Sequence, residues 1–415
     1  MKHFLLAVAC FLLLHTIAEA QRNCGTLPSM SQAVQPVLQK PSNTIASGSI
    51  GQLAKPVMQA EPTDPSPSSL PVIRIPVVVH VLYNNDQQNI SEAQIRSQIE
   101  VLNKDYRKLN ADTGYIPAAF RSIAADCRIE FQLASSDPEG RSTKGIVRRY
   151  TRIRAFGIDE GIRSTSYGGS DPWDARSYLN IWVANLAQGI VGYSTAPAAA
   201  PQKDGVVISF TAFGTTGTAR APYNKGRTAT HEIGHWLGLR HIWGDTGCGN
   251  DYIDDTPPQS GSTRGCPSGI VSSCNNGPDG NMYMNFMDLT DDACVNMFTA
   301  GQRTAMHLLF ASGGARNSLL QSHGLSAPTL PALQTDGSPA SWPMLKSWPN
   351  PARSFVQLIS ATIPDGTPVL IQHCNGQTAL QTSTRGGKIM LDGLKEGIYF
   401  LKVAQYPAMK LIKVN

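Results

Sequence analysis

The stretch His231-Glu-Ile-Gly-His-Trp-Leu-Gly-Leu-Arg-His241 decides the reading of this 415-residue chain. His231 and His235 are four apart, so on a helix their imidazoles stack on one face and can share a metal ion. Glu232 lies one residue on, close enough to hold a metal-bound water but angled away from ligation. Gly238 can take the positive φ that ends a helix, which lets the chain turn and bring His241 back to the same ion. Three neutral nitrogens leave a fourth position for water, the arrangement of a catalytic zinc rather than a structural one. The bland alternative is a helix that carries histidines by chance. Nine histidines occur in the whole chain, however, and three of them fall in these eleven residues at the required offsets.

Outward from this motif, the composition is that of a soluble globular protein, 41% hydrophobic and 16% charged. A formal charge of +5 with no Lys/Arg cluster gives no reason to expect nucleic acid as a partner. The first twenty residues have a basic head at Lys2, an apolar middle and Ala18-Glu19-Ala20, the pattern of a cleaved signal peptide. That apolar run is too short to span a bilayer and no later segment is long enough, so no membrane span is expected in the mature protein. Of the eight cysteines, Cys248, Cys266, Cys274 and Cys294 share one stretch and read as two disulfides in an oxidising compartment. Cys24, Cys127 and Cys374 lie far apart and do not form a set.

The chain divides into a signal peptide (1–20), a Pro/Ser/Gln-rich propeptide (21–70), a catalytic domain (71–323), a linker (324–345) and a C-terminal unit (346–415). Order begins at Ile73–Leu82, a β-branched run that reads as a buried strand. Ser91-Glu-Ala-Gln94 has the form of a capping box, with Ile95, Ile99, Leu102 and Tyr106 following at helical spacing. Cys127, Ile129, Phe131 and Leu133 alternate with polar residues, a half-buried strand with Cys127 as a free core thiol. Tyr178–Val183 and Val206–Phe210 are further strands, and Thr228–Leu239 and Gly301–Phe310 are helices. Residues 244–296 have little period of either kind. Short strands at Phe355–Ile359, Val369–Gln372, Lys388–Leu391, Ile398–Val403 and Lys410–Val414, with a hairpin signal at Asn375-Gly376, make the last unit a small all-β sandwich.

The motif H-E-x-x-H-x-x-G-x-x-H at 231–241 is the metzincin signature. Together with Asn250–Pro257 (NDYIDDTP), Met284–Asp288 (MNFMD) and Asn296–Gln302 (NMFTAGQ), it resembles the pappalysin branch of the metzincin zinc proteases. The resemblance implies an α/β zincin-type domain: a mixed twisted sheet, a backing helix, an active-site helix and an irregular disulfide-pinned lower lobe. It implies zinc on His231, His235 and His241, with Met287 as the Met-turn methionine beneath them and disulfides Cys248–Cys274 and Cys266–Cys294. It also implies a structural calcium taking oxygens from Asp251, Asp254 and Thr256. The activity implied is hydrolysis of protein or peptide substrates by zinc-activated water, with Glu232 as general base. An extended substrate is expected to pair with an exposed edge strand, for which Gly189–Tyr193 is the candidate.

Two positions depart from the family pattern. Leu289 stands where a tyrosine usually offers a hydroxyl to the zinc-bound intermediate, which leaves a weak or inactive zinc-binding protein as the alternative to a protease. Ala293 stands where arginine-preferring relatives carry an acid, although Asp291 and Asp292 adjoin it, so preference for a basic residue after the cleaved bond is an expectation only. Cys24, just behind the signal peptide, is similar to the propeptide cysteine with which bacterial relatives block the open zinc position. The chain's own propeptide would then be an inhibitory partner. Trp348–Pro351, Leu394–Phe400 and Lys410–Val414 look like a C-terminal sorting domain of type IX secretion, which implies that machinery as a partner and a route through the periplasm. An accessory binding sandwich is the other reading of this unit.

Overall fold

The computed structural model describes residues 23–26, 70–332, 346–359, 363–373, 377–403 and 408–415. The signal peptide, most of the propeptide, Cys374 and the Asn375-Gly376 turn lie outside the described residues. The chain divides into two compact units, 1–333 and 334–415.

The first unit is built on one seven-stranded sheet. Its strands are β1 (Asn23–Cys24), β2 (Ile73–Tyr83), β3 (Ile129–Leu133), β4 (Ile146–Tyr150), β5 (Leu179–Ala184), β6 (Ile190–Ser194) and β7 (Val206–Ser209). The order is β1-β6-β7-β5-β2-β3, with β4 also on β2, and every pairing is parallel except the antiparallel β6–β7. Both faces of β2 are buried, as a mostly parallel sheet requires. Val77, Val79 and Val81 enter the main core with Ile95, Leu102 and Ile233, while Leu82 packs on the opposite side with Trp182, Tyr193 and Val207.

Helix α1 (Glu92–Asp105) backs the sheet. Its N-cap Ser91 accepts from the Gln94 N–H, but the reciprocal half of the expected capping box is absent. The Gln94 amide instead donates to the carbonyls of Phe210 and Phe213 and accepts from the Thr218 N–H, because burial leaves it three loop groups to satisfy. The full capping box is at Thr299–Gln302, where it starts α3 (Ala300–Leu308). Between them lies α2 (Arg227–Trp236), all ten residues of which are buried. Residues 244–296 contain no helix or named strand, and the disulfides Cys248–Cys274 and Cys266–Cys294 cross-link them as the resemblance implied. Cys127 is a buried free thiol. Residues 324–330 hydrogen-bond back onto Ser135, Gly140 and Ser142, so ordered pairing with the first unit continues beyond 323.

The second unit is a two-sheet β-sandwich. One sheet has the order β11-β10-β13-β14 (Thr378–Ser383, Pro368–Gln372, Gly397–Val403, Met409–Lys413) and the other β12-β9-β8 (Lys388–Met390, Phe355–Ile359, Lys346–Trp348), all antiparallel. Its core is Val356, Leu358, Val369, Ile371, Ile389, Leu401, Val403 and Leu411 with their neighbours. Strands β1, β4, β8 and β11 were not expected from the sequence. β10 and β11 pair antiparallel on either side of the undescribed turn.

Candidate metal centre

Three features of the chain fix α2 at the start. Gly226 takes a left-handed φ of 75° as N-cap, and the Lys225 and Arg227 N–H groups donate to the Asp292 carboxylate at 2.9 and 3.1 Å. Asp292 is fully buried where it accepts these bonds, whereas Asp291 is half-buried. The Arg227 guanidinium reaches Asp105, Asp112 and the carbonyls of Asp292 and Val295, which ties the helix to α1 and to the loop around Cys294.

One turn further, His231 and His235 share a face. The helix ends at Trp236, and Gly238 has the expected positive φ, 86°, in the reversal that returns His241. The Nε2 atom of His235 lies 3.1 Å from Nε2 of both His231 and His241. Each Nδ1 is engaged elsewhere: His231 with the Phe286 carbonyl at 2.7 Å, His235 with the Leu239 carbonyl at 2.8 Å, and His241 with the Asp245 carboxylate. Carbonyl and carboxylate oxygens only accept, so Nδ1 carries the proton and Nε2 presents a lone pair. Burial, and next the neighbouring His241 imidazole, lower His235 to about 3 and keep it neutral. Asp245, which no sequence argument assigned a role, is recognisable afterwards at i+4 from His241.

Cys24 completes the group, its Sγ 3.7 Å from His235 Nε2. Among the described residues, these four are the one group of three or more His, Cys, Asp or Glu ligand atoms close enough to hold an ion. Tetrahedral zinc with ordinary bond lengths spaces nitrogens about 3.3 Å apart and nitrogen and sulfur about 3.6 Å apart. The donor set and its spacing therefore fit zinc.

The floor of the site is Met287, fully buried. A Cβ on Gly234 would sit 2.4 Å from the Met287 sulfur, so glycine between the two helix histidines allows this close approach. Asn285 fixes the turn by accepting from the Met287 N–H and bonding Gln302 of α3. Leu289 is buried and offers no hydroxyl. Glu232, 1% exposed, lies outside the metal group and accepts a hydrogen bond of 2.9 Å from Thr26 Oγ1.

Strand β6, expected as a substrate-binding edge, is second in the main sheet, next to β1. Its outer side is taken by Asn23–Cys24 in parallel register, with Gly25 N donating to the Gly192 carbonyl at 2.9 Å. The acidic loop is drawn together only in part. Asp251 is buried and accepts from Thr256 Oγ1 at 2.8 and 3.0 Å and from the Ile253 N–H, whereas Asp254 is exposed. Burial pushes the Asp251 carboxyl up to about 7. The neighbouring Asp255 instead caps α3 through Thr299 and Gly301.

A histidine triad at the end of a buried helix, above a methionine turn and below a mixed sheet, defines a metzincin-type zinc metalloendopeptidase. The family model described as pregnancy-associated plasma protein-A, peptidase family M43, matches residues 166–311. An extracellular metalloprotease of Trichophyton verrucosum is 30% identical over 293 residues, covering 69% of this chain and 89% of that protein. One of Arthroderma benhamiae is 28% identical over 343 residues, covering 80% and 98%. Mature mirolysin of Tannerella forsythia, solved with a cleaved peptide, is 50% identical with a TM-score of 0.59, covering 60% of this chain and 96% of that one. A Glu-to-Ala variant of promirolysin is 49% identical with a TM-score of 0.60, covering 60% and 85%. The chain belongs to the M43 peptidases, the pappalysins.

Proposed function

We propose that this chain is a secreted zinc endopeptidase made as a latent zymogen. The observation that carries the reading is the convergence of three imidazole Nε2 atoms beside a buried glutamate, with the leader's thiol at the remaining corner. His231, His235 and His241 would hold the metal, and Met287 would support their rings from below. Zinc supplies Lewis-acid polarisation of water and of the scissile carbonyl. Glu232 takes a proton from the attacking water and returns it to the leaving amine. Strand β6 binds an extended peptide once its edge is free, and Cys24 withholds that edge and the fourth metal position until it leaves.

Residues 1–20 direct export, consistent with relatives named extracellular metalloproteases. Residues 346–415 act as a type IX sorting domain, which is supported by their sandwich fold and tested by whether the exported form lacks them. Preference for a basic residue after the cleaved bond rests on Asp291, since Asp292 is buried under α2. A calcium ion at Asp251 and Thr256, with loop carbonyls, would stabilise the charge of a carboxylate whose pKa burial otherwise raises to about 7.

Metal removal tests the reading. A zinc chelator should abolish cleavage of casein by the processed protein, and added zinc should restore it. A calcium-selective chelator should lower the melting temperature without removing zinc. Cleavage that persists in zinc-free protein would sink the proposal.

The alternative, a binding protein that has kept the scaffold, turns on Leu289. Loss of one transition-state donor costs about a hundredfold in rate, which makes a slow enzyme. Leu289→Tyr should therefore raise turnover by roughly ten- to a hundredfold. Unchanged turnover would mean that another group already fills the role.

A further inference from the structure

We propose that Thr26 is a second inhibitory group of the leader, acting on the carboxylate of Glu232 while Cys24 acts at the histidines. The inference rests on the reading of the leader as the element that keeps the enzyme latent.

The strand period brings the two groups to one side. Residues i and i+2 of an extended segment face the same way, so Cys24 and Thr26 flank Gly25 and both turn toward the site. Cys24 Sγ meets His235, and Thr26 Oγ1 donates to Glu232 Oε2 at 2.9 Å. The same hydroxyl accepts from the Ser194 N–H at 2.9 Å and lies 3.2 Å from Ser194 Oγ. A threonine hydroxyl has one proton and two acceptor sites, so a single side chain engages both the base and the last donor of the β6 edge.

Burial sets the strength of this contact. Glu232 is 1% exposed and Thr26 8%. A hydroxyl donating to a carboxylate out of water makes a charge-assisted bond, about twice as strong as a neutral one. It also occupies one of the two carboxylate oxygens with which Glu232 could accept a proton from water. The leader thus closes the site at two points: the thiol at the metal corner and the hydroxyl at the base.

The test measures how firmly the segment is seated, without using activity. In the full chain, the rate of Cys24 alkylation by a small maleimide is followed by mass mapping. The proteins compared are wild type, Thr26→Val and Thr26→Ser, each also with Glu232→Ala. Thr26→Val should raise Cys24 labelling about tenfold, the loss expected for a hydrogen bond to a charged group. Thr26→Ser, which keeps the hydroxyl, should stay within about twofold of wild type. With Glu232→Ala in place, Thr26→Val should add little, because its partner is already gone. Slow labelling that is equal in wild type and Thr26→Val would overturn this inference and leave latency through Cys24 intact. Fast labelling in every protein would overturn both.

Discussion

Glu232→Ala is expected to lower peptide cleavage by about a thousandfold, the middle of the range for a positioned acid–base group, while zinc content is unchanged. The two effects separate because of the helix. His231 and His235 lie four residues apart on one face, and Glu232 is rotated away from the point where their Nε2 atoms converge. The glutamate is nonetheless 1% exposed and packs beside Gly192 of β6, the strand proposed to bind peptide. Glu232→Gln keeps its shape and removes the basic oxygen, so it should lose nearly as much rate as the alanine variant. The checks are single-turnover cleavage of a quenched peptide and zinc analysis of the same preparation. A fully zinc-loaded Glu232→Ala protein that keeps a tenth or more of the wild-type rate would exclude Glu232 as the proton acceptor.

Much of this centre can be read in the sequence because its chemistry dictates spacing. Two helix histidines four positions apart, a glycine able to turn left-handed and a third histidine have few other uses together. The outcome is a triad in which His235 Nε2 lies 3.1 Å from Nε2 of each of the other two. The buried strands were legible for a similar reason: β2 is a β-branched run and β5 a nearly continuous apolar one, as two buried faces require.

What escaped the sequence depends on contacts between distant segments. Ser91 and Gln94 have the spacing of a capping box, but tertiary burial redirects the Gln94 amide to the loop at 210–218. Asp291 and Asp292 look alike in sequence, yet Asp292 is fully buried as an acceptor for the Lys225 and Arg227 N–H groups at the start of α2. β4 reads Ile-Val-Arg-Arg-Tyr, with no apolar alternation, and becomes a strand by pairing with the second half of β2. Thr26 gives no local signal, since a small hydroxyl residue in a leader is unremarkable until the fold places it against Glu232.

Arg227→Met should destabilise the first unit by about 3 to 5 kcal/mol, the cost of breaking a buried ion pair from one side. Arg227 is 6% exposed, and its guanidinium joins Asp105 at 3.1 Å, Asp112 at 2.8 Å and two backbone carbonyls. Burial pushes the Asp105 carboxyl up to about 6 even with this cation beside it. Without the guanidinium, Asp105 must stay charged in an apolar site or bind a proton, and the Asp292 and Val295 carbonyls lose their donor. Thr230 Oγ1 would still donate to Asp105 but carries no charge. The melting temperature should fall by roughly 10 °C, given a few degrees per kcal/mol for a unit of this size. Asp105→Asn added to Arg227→Met should recover part of the loss, because it removes the stranded charge while keeping the acceptor for Thr230. A fall of less than about 2 °C in the single variant would show that the pair contributes little net stability. The metal site is coupled to the same anchor. His231 follows Arg227 by one helical turn, so an unpinned α2 start should release zinc faster, and zinc should leave before the strands of the main sheet exchange their amide protons.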